Sequence, residues 1–170
     1  YETETHPRLM AILDDIVEPA IAANGGRIVK NTGDGFLARF GSVNHAFTCA
    51  VMIQQKVHDA EKAQPPESRI AFRMGLHVGD IIVEPRDVYG AGVNLAARLQ
   101  EIGEPGAVMI SGSVREQLGT QIKLPTVDLG NVALKNIEQP VRVFRVAASP
   151  LSPFRGSSPV SGSTGAGLQY

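Results

Sequence analysis

The stretch GGRIVKNTGDGFLARF, Gly25 to Phe40, decides the reading of this chain. Two short apolar-rich runs, Arg27 to Lys30 and Phe36 to Phe40, flank Asn31-Thr32-Gly33-Asp34-Gly35. Glycine and asparagine tolerate the left-handed backbone of tight turns, so the pattern predicts a β-hairpin. Its tip sets Asp34 between Gly33 and Gly35, which lets backbone approach a ligand closely and leaves the carboxylate projecting. Hard divalent cations seek such oxygen donors, although Asp-Gly is also an ordinary hairpin turn signal. Lys30 stands at the end of the first strand, four residues before Asp34.

Working outward from the hairpin, Leu9, Ile12, Leu13, Ile16, Val17, Ala20 and Ile21 recur at i, i+3, i+4 and i+7. That period predicts an amphipathic helix from Leu9 to Ile21. Pro19 is expected to kink or loosen its last turn, and Asn24-Gly25-Gly26 to end it. On the other side, Val43, Ala46, Phe47, Ala50, Val51 and Val57 mark a second helix that runs out near Gln64-Pro65-Pro66. Ile70 to His77 and Ile81 to Glu84 are β-type runs around Gly79-Asp80, read as one long bent strand or a hairpin. A helix from about Val93 to Ile102 follows Gly90 and Gly92 and stops at Gly103-Glu104-Pro105-Gly106. Ala107 to Ile110 reads as a strand, Ser113 to Leu118 as a short helix and Val141 to Val146 as a final strand. Glycine-rich turns favour hairpins over long crossovers at two places. An α+β fold, with a mixed or mostly antiparallel sheet and helices packed on it, therefore fits better than a doubly wound parallel sheet.

The 170 residues carry 16 basic and 17 acidic side chains, and 43% are hydrophobic, as in one ordinary soluble domain. A net charge of −1 without a Lys/Arg cluster argues against nucleic-acid or anionic-membrane partners. No apolar run approaches the ~18 residues that span a bilayer, so no direct membrane insertion is expected of this segment. Cys49, the single cysteine, forms no intrachain disulfide and, among Phe47, Ala50 and Val51, reads as a buried small hydrophobe. The chain opens on Tyr1 rather than Met, and SPLSPFRGSSPVSGSTGAGLQY at its end is rich in Ser, Gly and Pro without an apolar period. It divides into a folded domain, 1–147, and a linker or tail, 148–170, and both ends read as cuts through a longer protein with further domains.

Chemistry concentrates in a second stretch, Asp87-Val-Tyr-Gly-Ala-Gly-Val-Asn-Leu-Ala-Ala-Arg98. On its helix the core face is Leu95, Ala96, Leu99 and Ile102, which sets Asn94 and Arg98, one turn apart, on another face. An amide and a guanidinium at a helix start can both donate to phosphoryl oxygens, and the helix N-terminus adds positive potential. The same pair is also what an exposed polar stripe would look like. Other chemistries find no support: His77 and Asp80 lack zinc-motif spacing, and His6, His45 and His58 are scattered. Neither a G-x-S-x-G elbow nor a P-loop is present.

Taken in order, GGRIVKNTGDGFLARF, FRMGLHVGDIIVE, DVYGAGVNLAARLQEIGEPGAVMISGSV and LGNVALKNIEQPVRVFRV resemble the catalytic domain of class III nucleotidyl cyclases, the bacterial adenylate cyclase type. The resemblance covers about Tyr1 to Val146. It implies a ferredoxin-like βαββαβ core that pairs head to tail as a homodimer, with two ATP sites at the interface. It also implies two magnesium or manganese ions per site, and formation of 3′,5′-cyclic AMP and pyrophosphate by attack of the ribose 3′-hydroxyl on the α-phosphate. Carried over by position, Asp34 matches the second of two metal-binding aspartates, and Lys30 and Asp87 match the pair that selects adenine. Asn94 matches the residue that orients the ribose, Arg98 the one that stabilises phosphoryl charge, and Lys135, in Leu134-Lys135-Asn136, the lysine that holds the terminal phosphates. Asp34 of one subunit would work with Lys30, Asp87, Asn94, Arg98 and Lys135 of the other.

Physical chemistry makes these roles reasonable. Two ions can stabilise both the entering and the leaving oxygen of an in-line displacement, while cationic side chains neutralise the non-bridging oxygens and pyrophosphate. A lysine donor and an aspartate acceptor suit adenine, whose N1 accepts and N6 donates, and guanine presents the opposite pattern. The departure from the family is at the start: its D-x-x-G-[YF]-[ST] strand, carrying the first metal aspartate, has no match before Leu9, and Glu2 and Glu4 are poor substitutes. This segment is therefore expected to lack one central strand and half the metal site and to be weakly active or inactive within an active parent. The alternatives are a catalytically inactive cyclase-like module that binds nucleotide or dimerises, and a guanylate cyclase. The family places the domain in the cytoplasm, or on the cytoplasmic face of a membrane-anchored parent.

Overall fold

The computed structural model describes residues 2–31, 35–85, 87–148, 164–165 and 167–168. The fold is α+β, with helices packed on a mixed sheet. The first helical region starts earlier than its apolar period, with α1 at Glu2–Ile12, and continues through a π-helical turn, Leu13–Val17, into α2, Glu18–Ala23. Pro19 explains the interruption: it has no N–H for the helical ladder, and just ahead of it the Glu18 N–H donates to the Leu13 carbonyl, five residues back. The expected loosening thus falls in the turn before the proline. Gly25, at φ +71°, then ends α2, as the Gly26 N–H reaches Ile21 O at 2.9 Å and the Gly25 N–H reaches Ala22 O at 3.2 Å.

The expected hairpin is β1, Arg27–Asn31, antiparallel to β2, Phe36–Arg39, with Arg27 opposite Arg39 and Lys30 opposite Leu37. A register shift between Ile28 and Lys30 marks a bulge in the lysine's own strand. The nineteen-residue α3, Val43–Glu61, begins at Ser42, whose hydroxyl accepts the His45 N–H. It buries Val43, Ala46, Phe47, Cys49, Ala50, Ile53 and Val57. Burial pushes the Cys49 thiol up to about 12, so it behaves as the inert hydrophobe expected. Gln54, also buried on α3, donates from Nε2 to Phe72 O and Ala107 O, each at 2.9 Å.

The larger sheet is built on β6, Ala107–Ser111, which lies parallel to β3, Phe72–Leu76, and antiparallel to β8, Val141–Ala147. Beyond β8 lies β7, Thr126–Val132, a strand the sequence pattern does not announce. Between β6 and β7 sits α5, Gly112–Leu118, and between β3 and β6 sits α4, Ala91–Glu101. The run after Gly79-Asp80 is neither a continuation of β3 nor its hairpin partner. Instead β4, Ile82–Glu84, pairs antiparallel with β5, Asp87–Tyr89, as a separate two-stranded arm. Two further short strands, β9 at Thr164–Gly165 and β10 at Gly167–Leu168, add parallel to β3 and β2 respectively.

One apolar cluster joins α1, α2, α3 and α5 to the sheet through Ile21, Phe36, Ile53, Phe72, Met74, Ile110 and Val146. Phe36 and Phe72 meet edge to face, ring centres 6.4 Å apart, across the two sheets. A smaller cluster of Leu99, Met109, Leu134 and Val143 lies on the opposite face of β6 and β8 and fixes α4 there. No helix among the described residues is long and apolar enough to cross a membrane.

Candidate functional site

The site is organised by how closely α4 approaches β3. A Cβ on Gly75 would lie 2.4 Å from Ala96 O, 2.6 Å from Gln100 N and 2.9 Å from Leu99 Cβ, so only a glycine strand residue lets the helix sit this low. Ala96 and Leu99 are fully buried on the strand side and Leu95 packs beside them. Ile102, placed on the core face by its period, is 43% exposed because α4 ends at Glu101 and the chain turns away. Gly90 precedes α4 at φ +125°, with the Asn94 N–H bonded to its carbonyl at 3.2 Å. Asn94 is exposed and Arg98 partly so, one turn apart on the face away from Gly75. Arg98 Nη1 donates to both carboxylate oxygens of Glu101, at 2.8 and 3.0 Å, which parks the guanidinium on the helix surface.

Lys135 is placed by a turn after Leu134. Leu134 is buried beside Leu99, and the turn that follows, closed by Ile137 N–H to Leu134 O at 3.1 Å with Asn136 at φ +61°, holds Lys135 exposed. Arg98 and Lys135 each neighbour in sequence a member of one buried cluster. Lys30 is exposed on β1. β5, whose backbone includes Asp87, packs against β1 and also against α4, so the strands bearing Lys30 and Asp87 are neighbours. An open cleft of about 480 Å³ separates the hairpin from the arm, lined by Arg27, Ile28, Val29 and Arg39 on one side and Val83, Glu84 and Pro85 on the other. Asp34 lies outside the described residues, as does the side chain of Asp87.

Sequence reasoning passed over His77 because it fits no metal motif, yet it links the end of β3 to the start of α5. Its Nδ1 lies 2.8 Å from Ser111 Oγ, the hydroxyl that also accepts the Val114 N–H at the start of α5. Burial holds the His77 pKa below the usual histidine range, so the ring is neutral at pH 7. Its position immediately after the apolar run of β3 was the available signal. Ile82, Val83 and Tyr89 on the arm are large apolar side chains left 43 to 51% exposed. Among the described residues no group of three His, Cys, Asp or Glu could hold a metal ion. The described side chains therefore do not themselves make a metal centre.

Residues 5–147 match the family described as the adenylate and guanylate cyclase catalytic domain. A Rhizobium meliloti protein named "Putative adenylate cyclase 3" is 40% identical over 143 residues, 84% of this chain and 24% of that protein. The chain thus spans about a quarter to a third of the length of curated relatives it matches. Among solved structures, an adenylate/guanylate cyclase/hydrolase from Silicibacter pomeroyi superposes with TM-score 0.80 at 38% identity, over 89% of this chain and 88% of that one. A Trypanosoma brucei adenylate cyclase in its monomeric state shares the fold at TM-score 0.70 and 21% identity, over 90% and 83%.

Proposed function

We propose, from the premise that this chain belongs to the adenylate and guanylate cyclase catalytic-domain family, that it serves to convert ATP into 3′,5′-cyclic AMP and pyrophosphate. The observation that carries this reading is the Asn94 and Arg98 pair, exposed one turn apart on a helix seated on Gly75, with Lys135 raised from the same buried cluster. Arg98 offers a planar cation to a phosphoryl group whose charge grows as the bond to pyrophosphate lengthens. To do so it leaves Glu101, an exposed carboxylate one turn on, and exchanging one oxyanion for another costs little. Asn94 orients the ribose so that its 3′-hydroxyl faces the α-phosphate, a gain from alignment rather than from new chemistry. Lys135 binds the terminal phosphates and stabilises the leaving pyrophosphate.

Base selection falls to the cleft side, where β1 and β5 adjoin. Lys30 donates to adenine N1 and Asp87 accepts from N6, which disfavours guanine at both atoms. Magnesium or manganese, two ions per site with Asp34 as one ligand, would when bound neutralise the triphosphate and ease loss of the 3′-hydroxyl proton. The protein acts as a homodimer in which Asp34 of one subunit faces the remaining site residues of the other. The apolar side chains exposed on the β4–β5 arm support a surface that a second copy covers. Nucleotide turnover assays with ATP and GTP, on the protein expressed from its full native reading frame, test this reading. Cyclic AMP formation that Arg98→Ala abolishes is the expected result.

A further inference from the structure

In the hairpin of β1 and β2, Arg27 stands directly opposite Arg39 in the antiparallel register. Residues so paired have Cβ atoms about 5 Å apart, and like charges in that relation repel and weaken the sheet. No carboxylate offsets the pair: among the described residues neither arginine makes an ion pair or a hydrogen bond. Arg39 Nε is buried without a partner, a cost that a folded chain rarely carries without a use. Both arginines line the open cleft of about 480 Å³ between the hairpin and the β4–β5 arm. Glu84 lines the arm's wall, but its Oε1 accepts the Tyr89 hydroxyl at 2.7 Å and it pairs with neither arginine. Ile28 and Val29 line the cleft at the place where β1 shifts register, and bulges of this kind re-aim side chains beside binding sites.

We propose that the Arg27 and Arg39 pair is an anion site, and that the cleft takes a small organic oxyanion, a phosphate or carboxylate carried on an apolar body. Guanidinium groups meet both kinds of oxyanion through paired N–H donors, and two side by side suit a multiply charged head. Such an anion supplies the acceptors that both side chains lack and turns the repulsion across the hairpin into a bridge. The rest of the ligand lies against Ile28, Val29, Val83 and Pro85. The cleft has the volume of a small-molecule site, for which the usual range is about 300–1,000 Å³. Lys30 is not among its lining residues, and Arg98 and Lys135 belong to α4 and to the turn after Leu134. The site is therefore separate from the groups assigned to the triphosphate, and the inference does not rest on the nucleotide reading.

Thermal unfolding of the protein expressed from its full native reading frame tests it, in chloride, phosphate and citrate at one ionic strength. Phosphate or citrate at about 10 mM should raise the melting temperature by about 3 °C or more over chloride, and the more effective of the two gives the oxyanion class. Arg39→Glu sets a carboxylate opposite Arg27. Without added anion this variant should melt at or above the wild-type temperature, and the phosphate and citrate effects should vanish. Arg27→Gln, at an exposed position, should also remove them and decides the question if Arg39→Glu does not fold. Equal melting in chloride, phosphate and citrate overturns the proposal. So does an anion effect that survives Arg27→Gln, or one that Arg98→Ala or Lys135→Ala abolishes, which would place the anion at the triphosphate groups. An effect that grows with protein concentration assigns the arginines to a contact between copies and overturns it as well.

Discussion

Gly75 on β3 lies directly beneath the backbone of Ala96 on α4, so close that a Cβ there would come within 2.4 Å of the Ala96 carbonyl oxygen. The contact is with main chain, which cannot rotate aside, and the whole helix would have to lift. Gly75→Ala should therefore destabilise the fold by about 1–3 kcal/mol, as overpacked cores do. Because Asn94 and Arg98 ride on that helix, turnover should fall at least tenfold even where the variant is fully folded. Thermal unfolding and cyclase assays on the same preparation check both.

Gln54 offers a test of the core beneath. It is buried on α3 and satisfies Phe72 O and Ala107 O with one amide group. Phe72 O also accepts the Gly106 N–H at 2.8 Å and retains a partner without Gln54, whereas Ala107 O loses this donor. Gln54→Met keeps the volume and removes the donors, so a loss of about 1–3 kcal/mol in chemical denaturation is expected. A neutral result would mean that these carbonyls find other donors.

Local pattern revealed the hairpin, α3, α4 and β6, because there the apolar period and the turn residues agree with the packing. It placed Asn94 and Arg98 on one outward face for the same reason. Ile102 failed because a helical period says nothing of where the helix stops. The partner of β4 was hidden, since Ile82 and Val83 are both exposed and give no alternation to read. β7 was hidden likewise: Asp128, Leu129 and Asn131 are exposed and Gly130, at φ +74°, breaks its register. β9 and β10 fall in a Ser/Gly/Pro-rich stretch without an apolar alternation to announce them.

The His77 pKa is lowered by burial, and the sign of the consequence follows. The unfolded chain takes up a proton near pH 6.5 while the folded ring resists it. Stability should thus be flat above that pH and fall as pH drops from 6.5 towards the folded value. Asp128, which accepts hydrogen bonds from Arg142 and from the Gly130 N–H and has a pKa lowered to about 2, acts in a separate window, losing its contribution only between about 3.8 and 2. Melting temperatures from pH 8 to 5 should show the His77 slope, and His77→Gln should flatten it. An unchanged slope in that variant would move the effect to another group.

Lys30→Glu should reverse the donor at the base edge and lower the ratio of ATP to GTP turnover by about tenfold or more, consistent with one lost and one opposed hydrogen bond. Competition between the two nucleotides gives this ratio in a single assay. A ratio that stays where it was would remove Lys30 from base selection.

The central claim is that Arg98 acts on a nucleoside triphosphate. The Arg98–Glu101 pair is a surface contact worth at most about 1 kcal/mol, so Arg98→Ala should leave the melting temperature nearly unchanged. Cyclic nucleotide formation from ATP and from GTP, measured with magnesium and with manganese on the protein expressed from its full native reading frame, as wild type and as Arg98→Ala, is the direct measurement. The account predicts cyclic AMP as the main product and a loss of about 10²–10³ in turnover for the variant. Wild-type protein that forms no cyclic nucleotide, or an Arg98→Ala variant as active as wild type, would contradict it.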